Sequence, residues 1–158
     1  MAIYKISELP KSVIEDTDSI EILKPDSLRK LNIPLFLDSV PAGFPSPADD
    51  YLESKLDLND LLIRNPASTF FVRVTGDSMV NAGISSEDIL VVDRSLEPKD
   101  GSVVIAVVDG ELTVKRLSYK NGQVYLIPEN DIYSQIEITE AMNFEVWGVV
   151  RAVIHDMV

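Results

Sequence analysis

The sequence contains no cysteine and a single histidine, His155, among its 158 residues. The missing cysteine removes disulfide frameworks and thiolate metal sites. A structural zinc site is not expected either, because such sites are assembled from Cys and His ligands. A Ser-His-Asp triad is disfavoured, since the one imidazole lies three residues from the C-terminus, where chains often fray. No apolar run approaches the roughly 18–20 residues of a bilayer-spanning helix. The opening Met1-Ala2-Ile3-Tyr4-Lys5 lacks the apolar region of a signal peptide. These absences lead us to expect a cytoplasmic protein with no membrane partner, no metal and no cofactor.

Positive charge is also scarce. Fourteen Lys and Arg face twenty-six Asp and Glu, for a net charge of −12. Holding the phosphate backbone of a nucleic acid needs clustered basic residues, and no basic stripe is visible. Direct sequence-specific DNA binding is therefore not expected; the acidity serves solubility. Hydrophobic residues make up 46% of the chain, enough for a core. The length suits one domain plus an arm.

Residues 1–40 read as that arm. Their apolar residues are scattered, and Pro10, Pro25 and Pro34, with Pro41 just beyond, interrupt any long helix. A short helical turn is expected near residues 26–31. Ser46-Pro47-Ala48-Asp49 has the form of a helix start, with a capping serine, a proline at the first position and an acid in the first turn. Residues 57–63 suit a short helix ending before Pro66. Beyond that point the pattern is β. Strands are expected over residues 69–74, 89–92, 102–108, 112–117, 124–127, 136–138 and 144–154. Asp109-Gly110 between two of them is a strong two-residue hairpin signal. The fold class is thus mainly β, with Trp147 in the core or at an interface.

Two residues carry the chemistry. Ser78 lies in Gly76-Asp77-Ser78-Met79, after a strand and at the opening of a short helical turn. Lys115 lies in Leu112-Thr113-Val114-Lys115-Arg116, on the second arm of the hairpin. Alone, a Gly-X-Ser is usually a turn and a strand lysine a solvated edge charge. Together they suggest a serine–lysine dyad. A neutral lysine can take the serine proton if its pKa falls from about 10.4 toward roughly 7–8, which desolvation can supply at a cost on the order of 4 kcal/mol. Arg116 cannot act as the base, because a guanidinium does not lose its proton in proteins. Neighbouring strand residues face opposite ways, so only one of Lys115 and Arg116 should face the site.

Further segments surround this pair at a recognisable spacing. They are Gly43-Phe44-Pro45-Ser46-Pro47-Ala48-Asp49-Asp50-Tyr51, Asp88-Ile89-Leu90-Val91-Val92-Asp93 and Ile105-Ala106-Val107-Val108-Asp109-Gly110-Glu111, which runs on into Lys115. In order and spacing, residues 41–150 resemble the LexA/UmuD family of self-cleaving Ser-Lys peptidases. The resemblance implies a LexA/signal-peptidase-like complex β-fold with an extended N-terminal arm. It implies Ser78 as nucleophile, Lys115 as general base and the backbone amides of Asp77 and Ser78 as oxyanion hole. The scissile bond would be Ala42–Gly43, separating an arm of residues 1–42 from a peptidase and dimerisation domain of residues 43–158. A small residue before the bond and a glycine after it let the backbone approach the nucleophile closely. Pro41 and Pro45 would hold the segment extended, with Val40 filling an apolar pocket.

The same resemblance implies an SOS-response peptidase whose cleaved form is an accessory subunit of an error-prone translesion polymerase. The implied partners are a second copy of the chain, a RecA filament on single-stranded DNA as activator, and a Y-family, UmuC-like polymerase subunit. The sequence departs from the pattern in residues 1–24, which match nothing in it; the likeness resumes at Leu31-Asn32-Ile33-Pro34-Leu35-Phe36. Two alternatives stay open at this stage. One is a LexA-like transcriptional regulator inactivated by self-cleavage, which the short acidic arm disfavours. The other is a non-catalytic interaction module.

Overall fold

The computed structural model describes residues 21–23, 33–36, 42 and 53–158. Among them ten strands and one short α-helix are formed. In chain order these are β1 (Glu21–Leu23), β2 (Ile33–Phe36), β3 (Glu53–Leu56), α1 (Leu58–Leu62), β4 (Thr69–Arg73), β5 (Ile89–Asp93), β6 (Val103–Val108), β7 (Glu111–Lys120), β8 (Gln123–Ile127), β9 (Ile136–Ile138) and β10 (Phe144–Ile154). Eight of the strands make one sheet in the order β1-β4-β5-β10-β6-β7-β8-β9, with every pairing antiparallel. The other two, β2 and β3, pair as a separate antiparallel ribbon. The mainly β architecture read from the sequence is the one observed.

The sheet is built on hairpins that the sequence encodes. Asp109 and Gly110 turn β6 into β7 with φ of 50° and 90°. Positive φ at both central residues matches the strand twist, and an Asp-Gly pair tolerates it. Asn121 and Gly122, at 52° and 78°, do the same between β7 and β8. The β6 run Val-Val-Ile-Ala-Val-Val is apolar on both faces because both are covered. Val103, Ile105 and Val107 join one core with Phe70, Val72, Met79, Ile84, Leu90, Val92, Val114 and Trp147. Val104, Ala106 and Val108 join a second with Leu117, Leu126, Val146 and Val149. Trp147 is thus a core residue, and the Arg94 guanidinium lies 5.2 Å from its ring centroid.

Central strand β10 changes register against β6 between Val146 and Gly148. Gly148 falls at this bulge, and a Cβ there would stand 2.7 Å from Val92 Cγ1 and 3.2 Å from the Asp93 carbonyl. The close approach of β5 explains the glycine.

Asp57 caps α1, accepting from the Asn59 amide at 2.8 Å. The arm holds more regular structure than its sequence suggested. β1 pairs with β4, Ile22 opposite Val72, and β2 pairs with β3, Leu35 opposite Ser54. The expected turns at residues 26–31 and 46–49 lie outside the described residues. Among the described residues no helix is long and apolar enough to cross a membrane.

Candidate active site

β4 runs out at Arg73, and the chain enters a tight turn before the 3₁₀ helix Val80–Ala82. Gly76 has φ of 99°, a left-handed backbone that favours glycine and sets the direction of the turn. Met79, the residue after Ser78, is 1% exposed and packs into the first core. Full burial of such a side chain contributes about 1.5–3 kcal/mol, so Met79 anchors the turn that carries Ser78. Ser78 is itself buried, at 3% exposure.

β7 brings the lysine to the same place. Lys115 is 6% exposed, and its Nζ lies 3.0 Å from Ser78 Oγ. Thr113 shares the strand face with Lys115, and its Oγ1 is 2.9 Å from Nζ. The carbonyl oxygen of Val114 is 3.0 Å away. These three partners are neutral oxygens. As placed, the amine nitrogen donates to all three: Ser78 Oγ, Thr113 Oγ1 and the Val114 carbonyl.

Arg116 takes the opposite strand face, as alternation requires. Its Nε donates to Glu129 Oε1 and its Nη1 to the Gly101 carbonyl at 2.7 Å. Glu129 in turn reaches the nucleophile turn, because its amide donates to the Ser78 carbonyl at 2.8 Å and its carbonyl accepts from the Asn81 amide at 2.9 Å. Asn130 Nδ2 donates to the Asp77 carbonyl at 2.9 Å, and Tyr133 O–H donates to Asp77 Oδ1 at 2.5 Å. The backbone amides of Asp77 and Ser78 donate to no group among the described residues. Donors left open beside a buried hydroxyl can stabilise a developing oxyanion.

Of the other residues singled out in the sequence, Ala42 lies in an exposed bend within the β2–β3 connection. Pro41, Gly43, Pro45 and Val40 fall outside the described residues. His155 is engaged elsewhere, with Nδ1 2.5 Å from the buried Asp88 Oδ1. Sequence reasoning missed Thr113, Glu129, Asn130 and Tyr133. For Thr113 the signal was available, since two positions along a strand restore the face of Lys115. The other three touch a turn some fifty residues away in sequence, with no local pattern to announce it.

A family model described as Peptidase S24-like matches residues 34–151. The chain belongs to the S24-like peptidase family. Protein SamA of Salmonella typhimurium is 51% identical over 122 residues, covering 77% of this chain and 84% of that one. Protein ImpA of Escherichia coli is 48% identical over 122 residues, 77% and 83% of the two chains. Protein MucA of Escherichia coli is 42% identical over 120 residues, 75% and 82%. This S24-like peptidase is a UmuD-like, self-cleaving serine hydrolase of SOS mutagenesis, serving translesion synthesis.

Proposed function

We propose that Ser78 is the nucleophile and Lys115 the general base of this peptidase, and that the bond cut is Ala42–Gly43. The observation that carries this reading is the 3.0 Å approach of Nζ to Oγ between two buried side chains. Neutral Lys115 takes the Ser78 proton as Oγ bonds to the Ala42 carbonyl carbon. The resulting oxyanion is held by the amides of Asp77 and Ser78. The C–N bond then breaks, and the Lys115 ammonium returns the proton to the departing Gly43 amine. Water, deprotonated by the same lysine, attacks the Ser78–Ala42 ester and frees both.

Residues 1–42 leave as an arm and residues 43–158 remain as the peptidase and dimerisation domain. Tethering raises the effective concentration of the scissile segment, and good orientation can supply up to roughly 7–11 kcal/mol of the barrier. Ala42 stands exposed in the β2–β3 connection, so the cut requires that connection to dock at Ser78. Docking is the step an activator would promote. By likeness to the family, that activator is a RecA filament on single-stranded DNA. The trimmed homodimer then serves a Y-family, UmuC-like polymerase subunit in the cytoplasm.

Intact-mass spectrometry of the chain mixed with activated RecA filament tests the reading. Two products summing to the parent plus one water, divided after Ala42, are expected from the native chain and none from Ser78→Ala. A cut at another bond, or equal cutting of Ser78→Ala, would refute the assignment.

A further inference from the structure

The amides offered to the oxyanion need a fixed direction, and the structure shows what fixes one of them. A trans peptide is planar, so its C=O and N–H point opposite ways. The Ser78 N–H belongs to the same peptide unit as the Asp77 carbonyl. That carbonyl accepts from Asn130 Nδ2 at 2.9 Å and, more weakly, from the Val80 amide at 3.3 Å, so Asn130 supplies the shorter of its two bonds. Asn130 is itself oriented, because its Oδ1 accepts from the Ile132 amide at 3.2 Å. The adjoining peptide is held in the same manner, with the Ser78 carbonyl accepting from the Glu129 amide at 2.8 Å. The Asp77 side chain is tied down by the Tyr133 hydroxyl.

We infer that Asn130 is a positioning residue for catalysis: by holding the Asp77 carbonyl it turns the Ser78 N–H toward the oxyanion. Tyr133 assists by fixing the Asp77 side chain of the same turn. Neither touches the reacting atoms. The inference rests on the dyad reading above and deepens it. It also differs from a general bracing role. A residue that orients an oxyanion donor affects the height of the chemical barrier and not the protonation of Lys115. The rate at its alkaline plateau should fall, while the pH at which the rate reaches half its plateau should stay where it is.

The test follows self-cleavage of the full chain as a first-order rate across neutral to alkaline pH, with Asn130→Asp and Asn130→Ala. Asn130→Asp keeps the shape and removes the donor. Outright loss of an oxyanion donor costs about 100- to 1,000-fold in rate, so misdirecting one should cost less, roughly 10- to 100-fold. Both variants are expected to lose that factor at the plateau with an unmoved midpoint. A folded Asn130→Asp with native plateau rate would overturn the inference. So would a shifted midpoint with an unchanged plateau, which would place Asn130 with the base. If neither variant is folded at the assay temperature, Tyr133→Phe carries the test. Its plateau should drop about 2- to 10-fold, the range for losing one hydrogen bond, and no drop would overturn the inference. Ser78→Ala and Lys115→Ala run alongside. Native-rate cutting by either would sink the dyad reading itself, and this inference with it.

Discussion

Thr113 Oγ1 lies 2.9 Å from Lys115 Nζ, on the same face of β7 and two positions before it. The threonine accepts one N–H of the amine, and the Val114 carbonyl accepts another. These bonds hold the amine nitrogen beside Ser78, whose Oγ is 3.0 Å away. Thr113→Val keeps the branched shape and loses the acceptor. Its self-cleavage rate should fall about 2- to 10-fold, the span of one ordinary hydrogen bond, while Thr113→Ser stays near native. Timed gels at one alkaline pH suffice to check this, and a native rate for the valine variant would remove Thr113 from the site.

Gly43→Glu should block processing. A bulky acid just after the scissile carbonyl crowds the close backbone approach that glycine permits. The variant is expected to stay uncut after long incubation with activated filament, as read by mass. Normal processing would move the scissile bond away from Ala42.

Asp93 is a pH-dependent source of stability. Burial alone would raise its carboxyl, but donors from Ser95, Ser68 and Asn65 outweigh burial and hold it down to about 2. A carboxyl whose folded pKa is depressed contributes stability above its unfolded pKa of about 3.9, lost as pH falls toward the folded value. The drop corresponds to roughly 2–3 kcal/mol, present at neutral pH and gone near pH 2. Urea unfolding at a series of pH values should show that Asp93→Asn removes much of the acid-side slope. An unchanged slope would mean that the buried carboxylate is not the group responsible.

Gly148→Ala should destabilise the fold by about 1–3 kcal/mol, the usual cost of overpacking. The new methyl would meet Val92 Cγ1 at 2.7 Å and the Asp93 carbonyl at 3.2 Å, where β5 and β10 are packed too closely to separate freely. A lowered thermal midpoint with an otherwise native β circular-dichroism spectrum is the expected result. A midpoint equal to the native one would show that the strands yield.

Removal of the arm should change hydrogen exchange on one edge of the sheet. β4 bonds to β5 on one side and to β1 on the other. In the isolated trimmed domain the β4 amides that face β1 should exchange faster, and those that face β5 should stay protected. Equal protection before and after trimming would indicate that residues 21–23 do not cover that edge in solution.

Much of this was legible in the sequence where local chemistry and tertiary packing agree. The β6–β7 hairpin follows from valine-rich arms on either side of Asp109-Gly110. Lys115 and Arg116 were separable by strand alternation alone. β7 nevertheless runs on to Lys120, past the expected end at Leu117, because the Asn121-Gly122 turn pairs Tyr119 with Val124 and Lys120 with Gln123. Tyr119 and Lys120 are exposed, so hydrophobic alternation did not mark them. β3 was illegible for a related reason. Glu-Ser-Lys-Leu has little β preference of its own, and its pairing with β2 makes it a strand. Ser78 and Lys115, which the structure brings together, could be singled out in the sequence because each belongs to a compact motif. Asn130 could not, because its partner lies fifty-three positions away.

The central claim is that a buried, uncharged Lys115 takes the proton of Ser78 so that the chain can sever its own arm. The most direct test is the first-order self-cleavage rate as a function of pH, for the native chain and for Lys115→Ala. The account predicts a native rate that climbs with pH to a plateau as the amine loses its proton, and a folded Lys115→Ala that does not cut at any pH. A native rate that is flat across the range, or a Lys115→Ala chain that cuts itself at the native rate, would contradict it.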